Sequence, residues 1–246
     1  MIHTKRGLLL VAALTLLLAL VVSFPARIAY QWAAPPELAV SGIHGSAWSG
    51  KADAVAMDGI YLSDVSWQIR PMHLFTGKLV YRVKGAPISG FVEGNVGIGI
   101  GGTLTVSDLS ASLPLLALAQ ALRVRGLRGD ASLQFDRIQV RDGLPITASG
   151  TVQVNNLLAP SLSREPIGGF RAEFFTQNNG VAASVEDTDG VLDLAGSLQI
   201  KDDRSYQFIA QLVAKPETPA TLREQMRYLG PADERGQQEL RIEGSL

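Results

Sequence analysis

Three histidines, His3, His44 and His73, are the only imidazoles in a chain of 246 residues that has no cysteine. Zinc sites draw thiolate, imidazole and carboxylate ligands from short recurring spacings, and neither His44 nor His73 stands in one. Asp187, Asp189 and Asp193 flank Gly190 and imitate part of a calcium loop. The bidentate glutamate that closes such a loop is missing, so these carboxylates read as turn and solvated strand positions. No G-x-S-x-G, S-x-x-K or H-E-x-x-H stretch supplies a nucleophile or a metal-bound water. Gly97, Gly99 and Gly102 match G-x-G-x-x-G, but Thr103-Leu104-Thr105-Val106 continues as a strand where a pyrophosphate site needs a helix to open. Arg128-Gly129-Asp130 spells an adhesion tripeptide and reads as a turn. These residues predict no catalytic, metal or cofactor-binding position, and no enzyme.

Composition narrows the function further. A net charge of −1 and a pI near 6.3 give no electrostatic footprint for nucleic acid. The missing cysteines exclude a disulfide framework. With 25 Gly, 12 Pro and only 18% charged residues, the chain suits a sheet with frequent turns.

The elements that would position any site begin with an apolar run, Gly7 to Phe24, whose only polar side chains are Thr15 and Ser23. About 18 helical residues nearly cross a hydrocarbon core of roughly 30 Å. Lys5 and Arg6 precede it, which predicts a cytoplasmic N-terminus and an exported bulk. Two readings stand: an uncleaved transmembrane anchor, or a cleaved signal peptide whose core is unusually long and lacks an A-x-A site. The anchor reading divides the chain into a cytoplasmic segment 1–6, a transmembrane anchor 7–24, a juxtamembrane linker 25–36 and a periplasmic β-rich domain 37–246. In the linker, Tyr30 and Trp32 suit either a headgroup-level belt or a cover over the first strand.

From Glu37 onward, short runs alternate apolar and polar residues, with turn residues between them. Ile60, Leu62, Val65, Trp67 and Ile69 share one face only if an extra residue at Ser63-Asp64 forms a β-bulge. A second shift is expected at Asp136-Arg137. Asp58-Gly59, Asp142-Gly143, Asn178-Asn179-Gly180, Asp189-Gly190 and Asp202-Asp203 predict turns of an antiparallel meander. Gly150, Gly196 and Gly244 recur in similar strands and predict bends in a curved sheet. Pro114 followed by Leu115 to Leu122 predicts one short helix, and Glu217 to Tyr228, N-capped by Thr218, another. The C-terminal strand from Gln237 is expected to be tied into the sheet. The expected fold is therefore mainly β: an N-terminal transmembrane helix, then an antiparallel curved sheet with one or two short helices.

Gly45-Ser46-Ala47-Trp48-Ser49-Gly50, followed by Leu62-Ser63-Asp64-Val65-Ser66-Trp67-Gln68-Ile69-Arg70-Pro71, resembles the type II secretion system protein N family of bacteria. That family carries a G-x-x-W-S-G block and then a second Trp before a Pro. The run 190–198 and the ending at Gly244-Ser245-Leu246 resemble it as well. The resemblance implies a bitopic inner-membrane protein with a periplasmic β-rich domain, accessory to the export of folded proteins across the outer membrane. It brings no catalytic residues. Gly45, Trp48, Gly50, Trp67 and Pro71 are the positions it marks, and a Trp on a strand equally serves packing. The implied partners are other secretion subunits, a second copy of the chain, and the inner membrane through Gly7 to Phe24. A different class of function is a lipid-handling groove lined by one apolar face of the sheet. An open apolar face would favour it, and a face filled by side chains would sink it.

Overall fold

Alternating runs that each bury one face can satisfy their backbones only by pairing, and here they pair in chain order. The structure, a computed structural model, describes residues 2–87, 89–99, 101–119, 124–178 and 180–245, with side chains from Val11 onward, Ala33 and Thr76 aside. Among the described residues one sheet of fourteen strands forms, and all its pairings are antiparallel. Strands β1 (Ala39–Ser41) and β2 (His44–Gly45) both pair with β3 (Ser49–Met57). The meander then runs through β4 (Ile60–Ile69), β5 (Lys78–Ala86), β6 (Phe91–Gly99), β7 (Leu104–Pro114), β8 (Arg128–Arg141) and β9 (Leu144–Leu158). It continues through β10 (Gly168–Gln177), β11 (Gly180–Asp187), β12 (Leu192–Ile200), β13 (Ser205–Ala214) and β14 (Gln238–Ser245). Among the described residues three α-helices accompany the sheet: α1 (Ile2–Val22), α2 (Ala26–Ala33) and α3 (Ala220–Met226).

The expected transmembrane anchor is overturned. No helix among the described residues is long and apolar enough to cross a membrane. Helix α1 takes in the polar start of the chain and stops at Val22, ahead of Pro25. The hydroxyls of Thr15 and Ser23 donate back to the carbonyls of Val11 and Ala19. Within the segment expected as a linker, the chain forms α2, ending before Pro35-Pro36.

The turns follow the sequence closely. Asp58-Gly59 and Asp142-Gly143 both have positive φ at each residue, the type I′ geometry whose twist matches the flanking strands. Asp64 lies at φ 50, and the β4–β5 register shifts between Ser63 and Ser66. The bulge leaves Leu62 and Val65 side by side against Gly85. A like shift falls between Phe135 and Arg137. Phe135 and Ile138 thereby both join the apolar side, and Arg137 points to the other face.

The repeated glycines make room for aromatic rings. Gly150 pairs with Phe135 on one side and Phe174 on the other. The two rings meet across it with centroids 5.4 Å apart. A Cβ on Gly150 would lie 2.4 Å from the Gln134 carbonyl and 2.6 Å from the Phe135 ring. Gly244 gives the same space to Tyr206, and Gly50 to Trp67.

The apolar face is filled from β7 to β14. Leu109, Phe135, Val152 and Phe174 pack with Val181. Leu115, Leu127 and Ala159 cover the start of β8. Leu222 and Met226 of α3 close over Leu192, Leu212 and Ile167. Thr218, expected as the cap of α3, instead donates to Val191 O at 2.6 Å, and Pro219 holds the cap position. The helix expected over 115–122 is instead a 3-10 turn, Leu115–Leu118, which follows β7 directly and buries Leu115 against Leu127, Ala131 and Ala159. Residues 120–122 of that expectation lie outside the described residues.

Candidate functional site

Two neighbouring regions at one end of the sheet concentrate the notable side chains. The first is the corner where α1 and α2 meet β2 and β3. The 45–50 turn folds tightly with Gly45 at φ 94, where a Cβ would lie 2.6 Å from Ser49 O, so the position requires glycine. Trp48 Nε1 donates to Val21 O at 2.7 Å, and Trp67 Nε1 donates to Ser46 O at 3.2 Å. Ala47 N–H donates to Phe24 O, and Pro25 bridges to Ser46. Both indoles are half-buried. Ile69 N–H donates to Trp48 O, which joins the corner to Pro71, the first residue of the 3-10 turn Pro71–Thr76. Gly45, Trp48, Gly50, Trp67 and Pro71 are thus brought together, and their geometry fastens the end of α1 to the sheet.

The second region, which sequence reasoning missed, is a polar cleft of about 540 Å³ beside that 3-10 turn. It lies on the face opposite the apolar packing, over the ends of β5 to β8. Arg70, Lys78, Arg137 and Arg141 line it, with Asp108 as the lining carboxylate. Asn95 forms part of the floor at 6% exposure, and its Nδ2 donates to Asp108 Oδ2 at 2.7 Å. Asn95 Oδ1 is buried without a partner, a cost of about 1–3 kcal/mol. Thr147, Gln139 and Thr105 link three strands across the wall by hydrogen bonds of 3.2 and 3.5 Å. Arg141 Nε donates to Thr103 Oγ1 at 3.2 Å, which aims its guanidinium along the cleft. The cations come from positions 70 to 141 in a chain of nearly balanced charge, so composition hides them. The available signal was alternation: Lys78, Arg82 and Lys84 on β5, then Arg137 and Arg141 once the bulge is counted.

The remaining candidates take structural places. His44 pairs in register with Lys51, and His73 lies in the 3-10 turn at the cleft. Gly97 and Gly99 stay on β6, with a turn where a dinucleotide site would need a helix. Arg128-Gly129-Asp130 opens β8 rather than forming a turn. Burial would raise the Asp187 carboxyl, but hydrogen bonds from Lys215 Nζ at 2.7 Å and Leu194 N–H, with the lysine's charge, hold it below the ordinary carboxylate value. That hydrogen bond in turn raises Lys215, against a smaller effect of its own burial. No group of three metal-ligating side chains occurs among the described residues.

This is a sheet protein that presents surfaces: a fastened helical corner, a basic cleft and an open final strand. Residues 36–241 match the family described as Type II secretion system (T2SS), protein N, and the chain belongs to that family. It is 27% identical over 243 residues to the type II secretion system protein N of Vibrio cholerae serotype O1, covering 94% of each chain. It is 21% identical over 235 residues to that of Aeromonas hydrophila, covering 86% of each. No solved structure matches it.

Proposed function

We propose that this chain is an accessory, interaction-making component of the type II secretion apparatus, working on the periplasmic side of the inner membrane. Family membership supports the setting, and one observation carries the mechanism: the sheet is open, and its two edges differ. At one edge β1 has three residues and lies beside the short β2. At the other, β14 has eight residues, and no strand pairs beyond it among the described residues. An unpaired strand of that length offers a row of backbone donors and acceptors to an incoming extended segment. Glu239, Arg241 and Glu243 stand along it, tied by Gln211, Gln207 and each other, which guards the edge against pairing with arbitrary strands. The exposed apolar residues of α1 support association with the membrane without a span.

Affinity purification of the tagged full chain from membranes of secreting cells tests this reading. Enrichment of other secretion subunits is expected; their absence would contradict it. The lipid-groove reading finds no support from the apolar face, which Leu115, Leu127, Leu222 and Met226 help to fill.

A further inference from the structure

We infer that the basic cleft beside the Pro71–Thr76 turn binds the phosphate headgroup of an anionic phospholipid, with that turn dipping into the membrane interface. Four permanent cations, Arg70, Lys78, Arg137 and Arg141, face one carboxylate there, and Asn95 already occupies an oxygen of that carboxylate. Among the described residues the ion pairs lie elsewhere and none uses any of these four cations. A volume of about 540 Å³ accommodates a headgroup rather than a bare ion.

Charge alone would suit any anion, and the surroundings choose among them. The turn between Arg70 and Lys78 carries Met72 at 77% exposure, Phe75 at 90% and Leu74 also exposed. Soluble surfaces scatter such residues singly; here three stand on one turn between two cations. At the same end of the sheet, α1 presents its exposed leucines and valines, fastened through Trp48 to the strand end that leads into this turn. Trp32 is exposed there as well, its ring against Phe24. Apolar side chains with cations directly behind them are the pattern of a segment lying in the headgroup zone of an anionic leaflet. An acidic protein surface would match the cations and leave the apolar turn unexplained. The inference goes beyond the secretion role: failed subunit enrichment would sink that role and leave vesicle binding untouched.

The test is binding of the full chain to vesicles of phosphatidylcholine alone and of equal parts phosphatidylcholine and phosphatidylglycerol. Helix α1 adds affinity for both, so the ratio between them reads the cleft. A preference of at least about tenfold for the anionic vesicles is expected, since each Lys or Arg near the surface contributes roughly fivefold. The double substitution Lys78→Glu with Arg137→Glu, at two exposed positions, should bring that ratio close to one while circular dichroism stays unchanged. Met72→Ser with Phe75→Ser should weaken binding to both vesicles and keep the ratio. Arg241→Glu, on β14, is the charge control and should leave the ratio alone. An equal loss of preference from Arg241→Glu would mean a generic charge effect and overturn the inference. So would an unchanged ratio in the Lys78/Arg137 variant. Binding of soluble glycerol phosphate with no vesicle preference would assign the cleft to a free phosphate compound and overturn the lipid source.

Discussion

The strands from β3 to β8 and those from β9 to β14 belong to one ladder, but their faces are finished differently. In the second group the apolar face is closed: α3 lays Leu222 and Met226 over Leu192 and Leu212, and the polar face carries paired side chains such as Gln207, Glu243 and Arg241. In the first group the interest moves to the polar face, where cations gather around an open cleft and beside an exposed apolar turn. Hydrogen bonding is shared by both groups, so it cannot account for the contrast. Side-chain burial makes one region a stable base that is open only along its β14 edge, and charge with exposure makes a face of the other a surface for binding.

Substitutions should separate the two by size. Leu222→Ala removes a buried side chain from the α3 seal and should cost about 2–5 kcal/mol, read as a lower urea midpoint. Arg137→Ala in the cleft should change the midpoint by no more than about 0.5 kcal/mol. Comparable losses at the two sites would break the contrast. Gly150→Ala comes next, at about 1–3 kcal/mol, because the new methyl meets the Gln134 carbonyl and the Phe135 ring. Trp48→Phe keeps the ring but loses the bond to Val21 O, about 1 kcal/mol. It should speed proteolysis between Phe24 and Trp48 while the global midpoint barely moves. A smaller effect is expected at Asp187, where the sign follows from its lowered pKa. A carboxyl held below its unfolded value of about 3.9 stabilises the fold above that pH, and the contribution is lost as pH falls through the folded value. Asp187→Asn should therefore be less stable than the parent at neutral pH and approach it in acid, as thermal melts across pH will show.

Much of the ladder was legible because the sheet obeys local rules. Asp58-Gly59 and Asp142-Gly143 state their turn type, and one misplaced apolar step at Ser63-Asp64 reveals a bulge. The recurrence of Gly150 and Gly244 was legible as a pattern, but its cause was not: the aromatic partners come from neighbouring strands. The 115–122 segment misled because its helix propensity is real, yet Leu115–Leu118 folds as a 3-10 turn whose Leu115 packs against Leu127 and Ala131. The expected run does form a helix, but it ends at Val22, and no helix among the described residues is long and apolar enough to cross a membrane. The cleft was hidden by summation, since four cations on two strands and at the start of a turn vanish in a net charge of −1.

The central claim is that the chain serves the secretion apparatus through its open β14 edge. Photocrosslinking from Glu239, Arg241 and Glu243 of the full chain, in membranes holding the whole apparatus, tests it most directly. The account expects adducts with a secretion subunit from these positions, and none from Ser132 or Gln134 in the interior of the sheet. Crosslinks that are absent from β14, or equally strong from β8, would contradict it.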